Sequence, residues 1–299
     1  LKERFLGYMP DLVITMGGPA FSFLARHREV LFASSPVLIA GVSEQAFRAG
    51  PAMGDAAVHP LRFDLQGMIG DILQVLPKTQ NIYVILGASI IDRFWVDECR
   101  REFSAFSGKL RFIYLDHLAL DDIRRRIAAL PENSAIFFGV MIKDAGGTLI
   151  DPGEALKKIV KDADAPVFTM FQTLFGSGVV GGRLVQDRDA GVLAAKAALR
   201  ILGGAPPAGE SMPPMPAGLP VYDWRALKRW GIDARRLPEG SRVDFREPSL
   251  WERYHWHVTG GVLLLLLQGG LIARLLIQRK RRDVAERQLA RSEHRLRMI

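Results

Sequence analysis

The sequence has a single cysteine, Cys99, among 299 residues. One thiol excludes an internal disulfide and any metal site built from several cysteines. Cys99 falls on the apolar stripe of a predicted helix, so we expect it to pack in a core. The body of the chain also lacks a basic patch with interleaved aromatic residues. That patch is the usual signature of nucleic-acid binding, so its absence argues against a nucleic-acid partner.

No export signal opens the chain, because Leu1 is followed by neither a charged segment nor a long apolar run. A large domain outside the cytoplasm needs such a signal, so we expect one ahead of Leu1. The other end stops inside a helical pattern at Ile299, and we expect further chain there as well.

One long apolar run is present near the end of the sequence. From Val258 to Ile277 the only charge is Arg274, and twenty helical residues span about 30 Å, the thickness of a bilayer's hydrocarbon core. We predict a transmembrane helix at 258–278, with Arg274 reaching the headgroups along its own stem. The flanks are Trp251, Tyr254 and Trp256 on one side and Arg279, Lys280, Arg281 and Arg282 on the other, which places the basic side in the cytoplasm.

Positive charge concentrates beyond this run. Residues 279–299 carry eight Lys/Arg against three acidic residues, and this segment holds most of the chain's net charge of +8. Anionic membrane lipid is therefore the expected partner of the basic tail. His255 and His257 are two residues apart and would point to different helix faces, so we interpret them as interfacial residues rather than as a metal pair.

The body of the chain alternates apolar, β-rich runs with amphipathic segments, which is typical of an α/β fold with parallel sheets covered by helices on both faces. The predicted strands are 12–15, 36–42, 81–87, 110–116, 134–140 and 166–170. The predicted helices are 19–30, 66–76, 91–106, 120–130, 153–162 and 189–202. Asp64 and Asp151 are predicted N-caps of the second and fifth helices.

A segment rich in proline and glycine, residues 203–220, is predicted to end the α/β core as a linker or surface strap. A short aromatic helix in YDWRALKRWGI and an extended lead into the membrane should follow it. The predicted domains are therefore 1–202 (α/β domain), 203–257 (strap and juxtamembrane segment), 258–278 (transmembrane helix) and 279–299 (basic helix).

Ligands of open parallel sheets bind outside the carboxyl ends of the strands, so the candidate site is taken from the residues that follow each strand. The predicted ligand-binding residues are Met16, Gly17, Gly18, Ser89, Ile90, His117, Met141, Phe171 and Gln172. Gly17 and Gly18 allow two interpretations, an anion site at a helix N-terminus or a tight turn that needs glycine.

No catalytic or metal-binding residue is predicted. A Ser/His/Asp hydrolase built from Ser89, His117 and Asp116 is the enzymatic alternative, but GASI is not a G-x-S-x-G elbow. TMGGPAF lacks the spacing of a P-loop or a dinucleotide fingerprint. FGSGVVGGR, residues 175–183, has four glycines without a following Lys-Ser/Thr, and we favour a turn between lobes over a phosphate cradle.

Three long runs and one short run carry a resemblance to known families. MGGPAFSFLARHREVLFASSPVLIAGV and PVFTMFQTLFGSGVVGGRLVQDRDAGVLAAKAALRILGG are similar to the periplasmic-binding-protein type I fold of the ABC-transporter substrate-binding-like branch. YDWRALKRWGIDARRLPEGSRVDFREPSLWERY, followed by a span, resembles the sensor region of bacterial membrane histidine kinases with this domain. ARSEHRLRMI resembles the lead-in to a PAS domain. In the family, a first strand-helix-strand unit lies ahead of the position of Leu1.

The resemblance implies two α/β lobes outside the inner membrane, in the periplasm, and a small-molecule ligand between them. It implies a homodimer that signals to a response regulator through a kinase domain. No kinase motif is present here, so ATP and Mg²⁺ are expected only for that absent domain, and the chain itself needs no cofactor. The alternatives are a membrane-tethered solute-binding protein of an ABC transporter and a sensor with another output, such as a cyclic-dinucleotide synthase.

A heptad pattern follows the predicted span. Ala285, Leu289, Ser292, Leu296 and Ile299 recur at alternating steps of four and three, as the a and d positions of a coiled coil do. A single solvated basic helix is the alternative. If the helices pair, ligand-driven closure of the lobes would pass through the span into this coiled coil.

Overall fold

The computed structural model describes residues 9–50, 53–54, 56–207, 218–246 and 250–296. The chain divides after Arg246 into an α/β unit and a unit that contains one long helix. The strands are β1 (Val13–Met16), β2 (Val37–Ser43), β3 (Ala56–Leu61), β4 (Asn81–Ile85), β5 (Arg111–Tyr114), β6 (Ser134–Phe138), β7 (Val167–Thr169), β8 (Gly181–Leu184), β9 (Leu219–Asp223) and β10 (Arg242–Asp244). The helices are α1 (Gly18–His27), α2 (Glu44–Ala49), α3 (Leu65–Val75), α4 (Ile90–Phe103), α5 (Leu120–Ile127), α6 (Pro152–Asp162), α7 (Asp187–Leu202), α8 (Trp224–Arg229) and α9 (Leu250–Leu296).

Two sheets define two lobes. The small lobe contains a parallel three-stranded sheet in the order β1-β2-β3 with α1, α2 and α7. The large lobe contains a seven-stranded sheet in the order β10-β9-β8-β7-β6-β4-β5, in which only β8 and β9 pair antiparallel. This confirms the predicted α/β fold class.

The strands are apolar throughout because their side chains point alternately to two faces that are both buried. In β4, Ile82 and Val84 pack on the side of α3, α4 and α8, whereas Tyr83 and Ile85 pack on the side of α5 and α6. Successive side chains of a strand point to opposite faces, so a sheet covered by helices on both faces needs apolar residues at every position. Each fully buried large side chain of this kind stabilises the fold by about 1.5–3 kcal/mol.

The six predicted strands and six predicted helices all form, with their ends shifted by up to a few residues. The predicted caps are also present, since Asp64 Oδ1 accepts from Gly67 N at 2.8 Å and Asp151 Oδ1 accepts from Glu154 N at 3.0 Å. Cys99 is fully buried in the large-lobe core, as expected. Burial raises the pKa of its thiol, which makes it inert in the folded state.

The structure differs from the expectation that the α/β core ends at residue 202. Strands β9 and β10 complete the seven-stranded sheet and helix α8 packs into its core, so residues 219–244 belong to the domain rather than to a strap. Much of the proline-rich segment, residues 208–217, lies outside the described residues. The predicted aromatic helix is confirmed as α8, capped by the Asp223 carboxylate, which accepts from Arg225 N at 2.9 Å.

Residues 175–183 also differ from the predicted turn. The positive φ values of Gly176 and Gly178 fit a turn, but Gly181 and Gly182 lie inside β8. A Cβ on Gly182 would sit 2.2 Å from Thr169 O on the neighbouring strand, so glycine is needed for the close approach of backbones. Gly181 and Gly182 occupy positions in the strand ladder, so they do not form a phosphate cradle.

Helix α9 is a single continuous helix of 47 residues. Its segment Tyr254–Lys280 has a mean hydropathy of 2.0 and is long and apolar enough to cross a membrane, by length and composition. The side chains of the heptad positions 285–299 lie outside the described residues. The helical backbone nonetheless continues to Leu296 without interruption.

Candidate ligand-binding site at the carboxyl ends of the strands

The carboxyl ends of β1, β4, β5, β6 and β7 place all nine predicted residues at or just after strand ends. Met16 ends β1 with 60% of its side chain exposed. Gly17 adopts φ 83°, its N–H donates to Ala40 O at 2.9 Å, and its carbonyl accepts from Phe21 N at 3.1 Å. Gly18 is the first residue of α1. The glycine pair therefore makes the tight βα turn, and the N–H of Gly17 is already used within the fold.

Ser89 and Ile90 lie at the start of α4. The Ser89 hydroxyl accepts from Asp92 N at 3.1 Å, and the Asp92 carboxylate accepts from Ser89 N at 2.9 Å, which together form a capping box. Ile90 is 90% exposed. The hydroxyl of Ser89 thus has a structural partner, whereas Ile90 presents an apolar surface next to the strand ends.

Asp92 organises this edge of the sheet, although it was not among the predicted residues. It is fully buried and also accepts from Ile142 N and Lys143 N at 3.3 Å, which ties α4 to the segment after β6. A Cβ on Gly87 would lie 2.2 Å from Asp92 Oδ2. The S-x-x-D spacing directly after a strand was the signal that could have identified Asp92.

His117 lines a groove of about 480 Å³ between α4 and the turn after β5. Arg100 crosses this groove, with its guanidinium 4.1 Å from the centre of the Tyr114 ring and 3.5 Å from Asp116 Oδ1. Burial raises the pKa of Tyr114, so this hydroxyl stays protonated. The groove is lined by Gly87, Ala88, Arg93, Val96, Asp97, Arg100, Asp116, His117 and Ala145.

The geometry at this edge of the sheet does not support the Ser/His/Asp hydrolase alternative. Ser89 is held by its cap, and no hydrogen bond joins it to His117 among the residues that the structure describes. Within the same residues there is no group of three or more His, Cys, Asp or Glu side chains that could hold a metal ion.

Met141 differs from the other predicted residues, because its side chain is fully buried among the apolar residues beneath α5 and α6. It therefore presents no side-chain surface for a ligand in this conformation. Phe171 and Gln172, in contrast, follow β7 and are only partly buried.

Phe171 belongs to an aromatic trio that sequence reasoning did not bring together. The ring centroids of Phe63 and Trp95 are 4.7 Å apart, those of Trp95 and Phe171 are 5.6 Å apart, and both pairs meet edge to face. Phe63 lies on the crossover from β3 to α3, so the trio joins the end of the small lobe to the large lobe. The next residue in the chain is Gln172, whose Oε1 atom is buried without a hydrogen-bond partner among the described residues.

A partly buried group of ion pairs holds the same crossover in place. Arg183 of β8 donates to both carboxylate oxygens of Asp71, at 2.8 and 3.1 Å, and its third nitrogen lies 3.1 Å from Asp64 Oδ2. Burial raises the pKa of Asp71 even though Arg183 opposes that shift. Asp64 directly follows Phe63, so the ion pairs and the aromatic trio fix neighbouring residues of one crossover.

Three solved structures share this fold. The ABC domain from Streptococcus pneumonia in complex with L-Trp has a TM-score of 0.58 and 17% identity, covering 81% of this chain and 83% of that chain. A conserved domain protein from Vibrio cholerae O1 biovar El Tor has a TM-score of 0.57 and 16% identity, covering 81% of each chain. A ligand-free, open substrate-binding protein with adhesive properties from Clostridium difficile has a TM-score of 0.60 and 13% identity, covering 82% of each.

No protein-family model and no curated protein matches the sequence. At identities of 13–17% the structural likeness establishes the fold. The chain therefore has the α/β fold of substrate-binding proteins, followed by one helix that is long and apolar enough to span a membrane.

Proposed function

We propose that this chain is the ligand-sensing and membrane-anchoring region of a two-component sensor histidine kinase. The α/β domain lies in the periplasm, α9 crosses the inner membrane once, and its basic end lies in the cytoplasm as the positive-inside rule requires. The observation that carries the proposal is the length of α9. It continues from Lys280 to Leu296 for about four turns beyond the apolar segment, whereas a simple anchor needs no such extension.

The proposed ligand is a small molecule with an aromatic or other flat apolar group and an N–H donor. The rings of Phe63, Trp95 and Phe171 supply the apolar surface at the strand ends. The buried Gln172 Oε1 supplies an acceptor that has no partner in the part of the chain that the structure describes. A buried acceptor without a partner is unfavourable, so a ligand N–H that pairs with it gains affinity.

A binding screen of the full chain in lipid nanodiscs tests this ligand class. L-Trp, the ligand in the Streptococcus complex, is the first probe, followed by other aromatic amino acids, with sugars and small anions as comparison classes. A probe at a hundred times its dissociation constant should stabilise the domain by about 2.7 kcal/mol, seen as a rise in melting temperature. A rise with sugars or anions and none with the aromatic probes would contradict the proposed class.

Two matched substitutions then locate the site. Gln172→Leu removes the buried acceptor with little change in volume and should weaken binding of an active probe by about tenfold, which corresponds to about 1.4 kcal/mol. His117→Ala removes a side chain from the groove beside α4 and should leave binding unchanged. The reverse result would move the site from the aromatic trio to that groove.

The alternative function is a membrane-tethered solute-binding protein of an ABC transporter, and the fold fits it equally well. Cysteine cross-linking separates the two functions. In the proposed sensor, which we infer to be a homodimer, an active probe should change disulfide formation in Leu289→Cys and Leu296→Cys chains, because the signal passes along α9 to the kinase and its response regulator. Equal cross-linking with and without a probe that binds would favour the tether.

A further inference from the structure

We propose that α9 pairs with α9 of a second copy inside the membrane, through a helix face centred on Gln268. The inference rests on the membrane span of the proposed function and extends it by naming the residue that sets the pairing. It is independent of which ligand the α/β domain binds.

Gln268 is an amide at the centre of the apolar run. It lies about 15 Å from Val258 and about 14 Å from Ile277 at 1.5 Å per residue. Arg274 is only three residues from the basic end and can extend to the headgroups. A glutamine side chain is too short to cover 14 Å, so the Gln268 amide stays at the depth of the lipid tails.

An amide at this depth needs a hydrogen-bond partner. The side chain of Gln268 is exposed on α9, and no hydrogen bond links it to any residue that the structure describes. Lipid tails offer neither donor nor acceptor, so the unpaired amide is costly. A second copy supplies a symmetric solution, because each Gln268 amide both donates and accepts across a two-fold axis.

The register of the helix provides a second, independent observation. The sequence pattern at 285–299 puts Leu289 and Leu296 at a positions and Ala285 at a d position. Because α9 is one uninterrupted helix, this register extends backwards in steps of seven from Leu289 to Arg282, just beyond the apolar run, and then to Leu275 and Gln268 within it. Gln268, the single amide in the middle of the span, therefore occupies an a position in the register of the coiled coil predicted beyond the span.

The neighbouring positions fit a close helix pair. Gly261 lies one heptad before Gln268 at another a position, and its missing side chain lets two backbones approach. Leu264 and Leu271 occupy the d positions on either side of Gln268. A polar residue at one a position fixes the register of a coiled coil, and Gln268 has that place here.

Another face of α9 is the direct competitor. Gly270 lies with Leu263, Leu266, Leu267 and Leu271 along a shallow apolar surface that ends at Arg274. Leu271 therefore borders both faces, whereas Leu263 and Leu266 belong to this one alone. This face contains a small residue but no amide in mid-span, so pairing through it would leave Gln268 in lipid. The two faces predict different cross-links.

Cysteine cross-linking of the full chain in phosphatidylcholine/phosphatidylglycerol vesicles decides between the faces. Leu264→Cys and Leu275→Cys chains should form disulfide-linked dimers, because neither residue borders the competing face, whereas Leu263→Cys and Leu266→Cys chains should form several-fold fewer. The native Cys99 is buried and serves as an internal non-reacting thiol. Equal or stronger cross-linking at Leu263→Cys and Leu266→Cys would overturn the proposal.

Fluorescence energy transfer between labelled full chains, diluted with lipid, measures the role of the amide. Gln268→Leu should raise the dimer dissociation constant about tenfold, and Gln268→Asn should restore most of the association. The double variant Gln268→Leu/Leu266→Gln keeps the composition but moves the amide to another face of the helix. When Leu264→Cys is added to it, disulfide formation at position 264 should not be restored. An unchanged dissociation constant in Gln268→Leu would overturn the proposal.

These outcomes are separable from a failure of the proposed function. If alkaline carbonate extracts the chain from membranes, the membrane span fails and the pairing fails with it. If the chain stays in the membrane and an aromatic probe still stabilises it, but Gln268→Leu pairs as the native chain does, only the pairing inference fails.

Discussion

Asp92 is the residue whose replacement tests most directly how the strand ends are held together. Its buried carboxylate accepts from Ser89 N at 2.9 Å and from Ile142 N and Lys143 N at 3.3 Å. Asp92→Ala leaves these three N–H groups without their acceptor. We expect the substitution to destabilise the domain and to loosen the start of α4 from the segment after β6.

The magnitude follows from the three lost bonds. A hydrogen bond contributes about 0.5–1.5 kcal/mol, and a buried donor left unsatisfied costs about 1–3 kcal/mol. Two of the three bonds are long, so we take about 1 kcal/mol for each and expect a loss of about 3 kcal/mol in total. For a domain of this size, that corresponds to a fall in melting temperature of about 6–12 °C.

Urea unfolding of the full chain in detergent, followed by tryptophan fluorescence, measures this loss. Asp97→Ala is the matched control, because Asp97 lies on the same helix with an exposed side chain. Asp92→Asn keeps one acceptor oxygen and should lose less than Asp92→Ala. If Asp92→Ala cost no more than Asp97→Ala, the account of Asp92 as the organiser of the strand ends would be refuted.

Three further predictions concern buried groups. Gly87→Ala should destabilise the domain by about 1–3 kcal/mol in the same urea assay, because the new Cβ would meet Asp92 Oδ2 at 2.2 Å; a neutral effect would show that α4 can shift freely. His59 is buried, neither ring nitrogen has a hydrogen-bond partner among the described residues, and burial lowers its pKa from the ordinary 6.5. The unfolded chain therefore takes up a proton first, so the melting temperature should fall as the pH drops below about 6.5, and His59→Leu should flatten that fall; an unchanged pH profile would exclude His59 as its source. Cys99 should react with a thiol reagent only after urea unfolding, and rapid labelling of the native chain would contradict its burial.

Residue patterns predicted the elements that are locally distinct. The apolar runs at 81–87 and 134–140 became the central strands β4 and β6, because strands covered on both faces have no polar alternation to obscure them. The missed strands lack such runs. Strand β3 contains Pro60 at the edge of its sheet, and β8 begins with Gly181 and Gly182, whose fit depends on neighbouring backbones.

The candidate site was likewise predicted only in part. Following strand ends identified Phe171 and Gln172, because the carboxyl ends of parallel strands meet at one edge. It did not identify Phe63 or Trp95, since a residue on a crossover and a residue in the second turn of a helix approach Phe171 only through tertiary packing. Met141 gives the opposite outcome, because it also follows a strand, β6, but its side chain is buried in the core.

The crossover from β3 to α3 is where ligand binding and lobe movement would meet in the proposed sensor. Asp64 is fixed to the large lobe by its cap on Gly67 N and by Arg183, so rotation of the small lobe must occur before Asp64. Phe63 is the residue immediately before it, and its ring contacts Trp95 with centroids 4.7 Å apart. A ligand that enters between these rings must separate them, whereas one that binds beside them need not. A ligand of the first kind would bind the two lobe arrangements with different affinity, which is the condition for a ligand to shift the balance between them.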